Sequence, residues 1–253
     1  KKARVYRQNW GDDVFKTGDV RSVTTADLPE NADLIWASFP CQDLSLAGGG
    51  AGLKGERSGT FWPFWSLMTT LINEGRSPSL IVLENVSGTL TSHNGKDFAE
   101  ICAAFRRAGY RCGAVVVDAA LFVPQSRPRL FVIAARSDLA IPEEILSGGP
   151  TVTWHGRTLQ TAVENLPALS KKNWVWWNPV IPAARTRRFA DLIEDQPKSV
   201  PWHTASETNQ LLEMMSEVNL KKVEEAKRAG RRMVGTIYKR TRRDERGVKM
   251  QRA

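Results

Sequence analysis

Apolar and polar positions in the first half of the chain fall into alternating short runs and helical stripes. Residues 33–39 (DLIWASF) form a brief apolar run that leads into Pro40 and Cys41. Over 61–75, Trp65, Met68, Leu71 and Ile72 keep helical spacing and Gly75 closes the segment. Residues 79–86 (SLIVLENV) predict a buried strand. Phe98, Ile101, Cys102 and Phe105 then fall at i, i+3, i+4 and i+7, which predicts a helix with Asn94 as its N-cap and Gly109 as its C-cap. Two β-rich runs follow, 114–117 and 130–134. Strands alternating with helices predict an α/β domain built from βαβ units around a mostly parallel sheet.

After Arg136 the pattern changes. Residues 137–201 are rich in Pro, Trp and polar side chains with weak periodicity, and Trp174, Trp176 and Trp177 crowd one stretch. This predicts a smaller, loop-rich region whose tryptophans form a core of their own. A single helix is then predicted, opened by the Thr204–Glu207 capping pair, striped by Leu211, Met215 and Val218, and closed by Gly230. The expected division is a catalytic α/β domain over 1–136 and a second region over 137–253.

Composition adds limits. The chain has 253 residues, 42% apolar and 25% charged, as in soluble globular proteins. No apolar run approaches the roughly 20 residues that span a bilayer, and no secretory leader is expected. Cys41, Cys102 and Cys112 are too few and scattered for a disulfide scaffold or a zinc cluster, so a cytoplasmic setting is expected. The formal net charge is +9, and its location matters more than its size. Residues 1–220 balance at 23 basic and 23 acidic side chains, whereas 221–253 carry 13 basic and 4 acidic. Nucleic acid is the commonest partner of such a segment, although a merely solvated basic tail has the same composition.

Three short motifs carry candidate chemistry. Phe39-Pro40-Cys41-Gln42 stands at the carboxyl end of a predicted strand, where open α/β sheets hold ligands, and a Gly-rich stretch follows it (Gly48, Gly49, Gly50, Gly52, Gly55). A lone cysteine is more often a small buried apolar residue. Glu84-Asn85-Val86 ends the next strand, and parallel neighbours would bring Glu84 close to Cys41. An acid in an apolar strand end favours its neutral form, which suits a proton donor; the bland alternative is a carboxylate satisfied by an arginine or a helix N-terminus. Gln125-Ser126-Arg127-Pro128-Arg129 enters the last strand, and residues two apart in a strand point the same way, so Arg127 and Arg129 can converge. Exposed arginines at a strand entry are the alternative.

In this order and spacing the motifs resemble those of the cytosine-C5 DNA methyltransferases of bacterial or phage type. Gly18-Asp19-Val20, which matches an adenine-binding segment, and Arg57-Ser58-Gly59-Thr60-Phe61, which matches the end of a catalytic loop, extend the resemblance over about 9–136. The resemblance implies a Rossmann-like S-adenosylmethionine-dependent methyltransferase sheet domain, lacking its first strands, with a smaller, loop-rich target-recognition domain. It implies Cys41 as the nucleophile at carbon 6 of cytosine, Glu84 at N3, and Arg127 and Arg129 at the base O2 and nearby anionic groups. S-adenosylmethionine would be the cofactor, held by Asp19, Val20, Pro40 and Phe61. Gln42, Ser45, Arg57 and Gln125 would contact DNA. The implied partners are double-stranded DNA, bound by a monomer, and a cognate restriction endonuclease, in the nucleoid of a bacterial cytoplasm. Two pieces of the family pattern are missing, an opening strand with its Phe-x-Gly-x-Gly turn and a closing segment with a last helix. Both domains are therefore expected to be incomplete, and the alternative reading is a catalytically incompetent DNA-binding fragment. A Cys-His hydrolase would need a histidine near Cys41; His93, His155 and His203 stand at no strand end.

Overall fold

The computed structural model describes residues 2–13, 15–40, 53, 60–231, 233–235, 237, 240–243 and 249–252. They divide into two compact units, Lys1–Phe122 with Ser126–Ala184, and Val123–Gln125 with Arg185–Ala253. Residues 137–184 belong to the first unit.

The first unit opens with helix α1 (Lys2–Trp10), which buries no side chain. Its sheet is formed by β1 (Leu34–Ala37), β2 (Leu80–Asn85), β3 (Tyr110–Asp118) and β4 (Pro128–Arg136), with α2 (Phe61–Asn73) between the first two strands and α3 (Lys96–Arg107) between the next two. The strand order is β1-β2-β4-β3. β1 and β2 are parallel, while β4 runs antiparallel to both β2 and β3. β1, β2 and β3 thus share one direction and β4, inserted between β2 and β3, opposes them. The mostly parallel sheet expected from the alternating pattern holds for strand direction and fails for strand pairing. The cause is the connection 119–127, which holds one three-residue turn of 3-10 helix, Ala119–Leu121, and is too short for a parallel crossover, so β4 folds back beside β3.

One face of the sheet packs against both helices. Phe61, Met68 and Leu71 of α2 and Phe98, Ile101 and Phe105 of α3 meet Ile81 and Leu83 of β2, Tyr110 and Cys112 of β3, and Leu130 and Val132 of β4. This is the helical stripe and strand alternation of the sequence made solid. Buried Tyr110 donates its hydroxyl to the Pro78 carbonyl at 2.7 Å, and desolvation pushes the phenol up to about 12. Gly109 takes φ +81° just after α3 and so ends it as predicted. The other end differs: Asn94 (φ 57°) and Gly95 (φ 83°) are both left-handed, and the helix starts at Lys96 without a side-chain cap.

The tryptophans do not form a separate core. The Val175 N–H donates to Cys112 O at 2.8 Å, the Cys112 N–H to Asn173 O at 3.2 Å, and Trp177 Nε1 to Ile133 O at 3.1 Å. The segment therefore lies along the free edge of β3, with Trp174 and Trp176 against the main core and Trp177 and Trp154 on the opposite face of the sheet. Only glycine fits at 113, because a Cβ there would stand 1.9 Å from Val175 O. Covering the edge of an apolar strand satisfies backbone groups that would otherwise face another chain. Helices α4 (Arg157–Glu164) and α5 (Ala168–Lys172) complete this unit.

The second unit holds α6 (Ala205–Glu213), α7 (Glu217–Arg228) and the antiparallel pair β5 (Arg240–Arg243) and β6 (Lys249–Arg252). Thr204 and Glu207 form the predicted capping box, but the single predicted helix is two, because Ser216 is extended (φ −70°, ψ 155°) and starts α7 anew. Among the described residues no helix is long and apolar enough to cross a membrane.

Candidate active site

The parallel register Leu34↔Leu80 to Ala37↔Leu83 brings the carboxyl ends of β1 and β2 side by side. Beyond β1 the chain runs through Ser38, Phe39 and Pro40 toward Cys41. Buried Asn85, 5% exposed, fixes this exit: its Nδ2 donates to Phe39 O at 3.2 Å, while its Oδ1 accepts from the Val86 N–H at 2.9 Å. The polar middle residue of Glu84-Asn85-Val86 thus joins the end of β2 to the segment that follows β1. Sequence reasoning gave a task to Glu84 alone; an asparagine at an otherwise apolar strand end was the available signal, since a buried amide needs partners.

Glu84 pairs with Phe131 in the register of β2 and β4, and Arg129 lies two residues earlier on the same face of β4. Arg129 Nε stands 3.2 Å from Glu84 Oε1, and the two side chains are 23% and 25% exposed. Arg129 also donates through Nη1 to its neighbour's carbonyl, Pro128 O, at 2.8 Å. Glu84 is therefore not in the dry apolar surroundings expected for it, because the antiparallel insertion of β4 sets a guanidinium beside it. Arg127 is exposed, and its side chain has no partner among the described residues. Glu84 and Arg129 are brought together; Arg127 stays available.

Earlier in the chain, Asp19 caps a turn over Val20–Ser22, its Oδ1 accepting from the Arg21 N–H at 2.9 Å. Val20 packs, half-buried, against the main core, as Phe39 does. Phe61 is fully buried, 5.5 Å from the Phe39 ring and 5.0 Å from Trp62, so it lies beneath Phe39 rather than at the surface. Pro40 is exposed. Arg76 was not foreseen. Just past α2 its guanidinium donates to the carbonyls of Thr25, Leu28, Pro29 and Glu30 at 2.9–3.2 Å and meets Glu74 at 2.7 Å. It ties the segment after Asp19 and Val20 to the end of the helix, a position where a cation also suits the helix dipole.

Cys41, Gln42, Ser45 and Arg57 lie outside the described residues. Gln125 belongs to the second unit and is exposed, its N–H donating to Val123 O at 2.7 Å. The histidines are occupied elsewhere. His93 Nδ1 is 3.0 Å from Asp97 Oδ2, His155 is fully buried with Nδ1 accepting from the Thr151 N–H, and His203 stands beside Glu207 in the second unit.

An orphan methyltransferase of Bacillus phage SPR is 28% identical over 90% of this chain and 51% of its own length. A type II methyltransferase of Neisseria gonorrhoeae, M.NgoFVII, is 30% identical over 75% of this chain and 50% of its own. The chain thus spans about half the length of these relatives. The crystal structure of S. pombe Dnmt2 methyltransferase is similar over 54% of this chain and 41% of that one, at 23% identity and a TM-score of 0.43. The family profile of C-5 cytosine-specific DNA methylases matches residues 1–251, well beyond the motifs themselves. With that profile running nearly end to end, the chain belongs to the C-5 cytosine-specific DNA methylases.

Proposed function

We propose that this chain methylates carbon 5 of a cytosine turned out of a specific DNA sequence, through a transient bond between Cys41 Sγ and carbon 6. The reading is supported above all by the pairing of Glu84 with Arg129 at the strand ends, next to the exit toward Cys41 that Asn85 holds. Carbon 5 of an aromatic ring is a weak nucleophile. Thiolate attack at carbon 6 breaks the aromaticity and makes carbon 5 enamine-like, splitting one hard step into easier ones. Glu84 would hold or protonate N3 as negative charge builds there, and Arg129, 3.2 Å away, would orient that carboxyl. Arg127, free of competing partners among the described residues, is the group left to meet the base O2. Extruding the base costs a few kcal/mol of stacking, roughly, which the contacts of Gln42, Ser45, Arg57 and Gln125 to DNA would offset.

The cofactor side fits S-adenosylmethionine in part. Asp19 engages only one carboxylate oxygen among the described residues, which leaves an acceptor beside the apolar Val20 for a nucleoside; Pro40 flanks the same strand end and Phe61 lies under it. Bound there, S-adenosylmethionine supplies an electrophilic methyl group. Region 137–253 would select the DNA sequence, and 221–253 would add salt-sensitive affinity for phosphates. A cytoplasmic bacterial setting and a cognate restriction endonuclease go with this reading.

The test is transfer of radiolabelled methyl groups to duplex DNA by the wild-type chain and by Cys41→Ser. A serine hydroxyl is far less ionised than a thiol, so the variant should lose transfer while DNA binding survives. Near-normal turnover by Cys41→Ser removes Cys41 as the nucleophile.

A further inference from the structure

The connection between β3 and β4 carries Arg127, and a single carboxylate ties its two ends together. Asp118, the last residue of β3, accepts through Oδ1 from the Ala120 N–H at 3.0 Å and from the Arg127 N–H at 2.6 Å. Its Oδ2 accepts from the Ser126 hydroxyl at 2.8 Å. The Ala119 N–H donates to Arg127 O at 3.3 Å and carries the β3–β4 ladder one step past the strands. These donors, the Ala120 N–H first and the Arg127 N–H second, hold the Asp118 carboxyl below the ordinary carboxylate range, so it is ionised at neutral pH and acts only as an acceptor. Ionised acceptors make the stronger hydrogen bonds.

The consequence concerns where Arg127 starts from. Arg129 stands inside the ladder, opposite Val117, and its backbone is fixed by strand pairing. Arg127 precedes the strand, and apart from the Asp118 carboxylate its backbone is met among the described residues by the long Ala119 N–H bond to its carbonyl. Its side chain is long, exposed and without a partner among the described residues, so only its main chain can be held in advance. Asp118 does this from both sides, through the Arg127 N–H and through the Ser126 hydroxyl beside it. Nothing in the sequence motif Gln-Ser-Arg-Pro-Arg announces the clamp, because the acid lies outside it.

We propose that Asp118 is a positioning residue for Arg127, fixing the backbone from which that guanidinium reaches the target base; the proposal rests on the role given to Arg127 above. Misplacing a reacting group by about 1 Å can cost on the order of 100-fold in rate. Asp118→Ala should therefore lower kcat about 100-fold and leave the KM for duplex DNA nearly unchanged, since phosphate contacts elsewhere set binding. Asp118→Asn should restore most of the rate. Its amide oxygen can accept from both N–H groups, and its amide nitrogen can donate to Ser126 Oγ with the bond reversed. Ser126→Ala, which removes one bond and leaves the carboxylate, should give a smaller loss and serves if Asp118→Ala folds poorly. Combined with Arg127→Ala, Asp118→Ala should add little further loss, because the two act through one guanidinium.

Hydrogen exchange read on the same 253-residue chains separates the clamp from the chemistry. The Ala120 and Arg127 amides should be protected in the wild type and in Asp118→Asn, and should exchange faster in Asp118→Ala. Unchanged exchange in Asp118→Ala overturns the clamp. Faster exchange with unchanged kcat, or a loss in Asp118→Asn equal to that in Asp118→Ala, overturns the positioning role. A wild-type chain that transfers no methyl group overturns the catalytic reading and with it the task of Arg127, and in that case exchange still decides whether Asp118 holds the loop.

Discussion

The two units of this chain are built on different physical terms. All buried side chains among the described residues lie in the first unit, and in the second none is buried. There Trp202 is 72% and Val218 67% exposed, and neither α6 nor α7 buries a residue. Charge divides along the same line. Residues 1–184 carry 19 basic and 17 acidic side chains, against 17 and 10 over 185–253. The first unit is ordered by burial. What order the second shows is local, resting on the Thr204–Glu207 capping box, the Lys227–Glu224 pair at 2.7 Å and the β5–β6 ladder. Helices of this length are marginal on local terms alone. A sequence can therefore write secondary structure clearly in both units while writing a core in only one.

Truncating apolar side chains is the harshest way to break that contrast. Phe105 is fully buried, with its ring 5.0 Å from Trp65 and 6.4 Å from Tyr110. Phe105→Ala should cost about 3–5 kcal/mol of stability. Val218→Ala, on an exposed helix face, should stay within about 0.5 kcal/mol. Urea unfolding of both variants checks the pair, and a loss of about 2 kcal/mol or more at Val218, of the size seen for buried side chains, means that α7 has a packed face in solution.

Charge gives a gentler probe. If 221–253 meets DNA phosphates, neutralising Arg231, Arg232, Arg240, Arg242 and Arg243 together should flatten the dependence of log affinity on log salt by about 0.9 for each phosphate left without its cation. Arg136→Gln is the matched control in the first unit. That guanidinium is already held by Asp138 at 2.6 Å and by Ser77 O at 3.1 Å, so the slope should not move. Equal slopes for all three proteins would assign the basic segment to solvent.

The same contrast explains what was legible in the sequence. The stripe Phe98, Ile101, Cys102 and Phe105 and the run 79–86 announced α3 and β2 because their burial is periodic. The place of β4 between β2 and β3 was not legible, because strand order depends on which connections are too short to cross over. That one fact also set Arg129 beside Glu84, replacing the apolar surroundings expected for the acid. Trp174, Trp176 and Trp177 looked like a core of their own because composition shows that aromatic rings are buried and not against what; the small residue that admits them, Gly113, lies far away in the chain. Glu84 and the arginines were legible as motifs. Arg76 and Asp118, which hold backbone rather than present chemistry, become visible only once distant parts of the chain are brought together.

Acid offers the finest test of the second unit's local character. Glu207 accepts from the Thr204 N–H at 2.7 Å and from the Thr204 hydroxyl at 3.0 Å, and the Thr204 hydroxyl oxygen accepts from the Glu207 N–H at 3.2 Å. The Thr204 N–H first and its hydroxyl second, with His203 a smaller influence, lower the Glu207 carboxyl from its ordinary value of 4.5. A carboxyl lowered by folding stabilises the fold above its unfolded value, and that contribution is lost as pH falls through the folded value. The start of α6 should therefore be intact at neutral pH and fray once pH drops below about 4.5. Because α6 buries nothing, no packing should mask the loss. Amide exchange and carbon chemical shifts of 204–208 in the full chain would show it, and Glu207→Gln should remove most of the pH dependence in that window. α3 is the comparison within the same sample: its first two turns are seated on buried Phe98 and Ile101, so it should hold through the range in which α6 frays. Loss of both helices together at one pH would mean that the two units unfold as one, and that the second is stabilised by more than its caps.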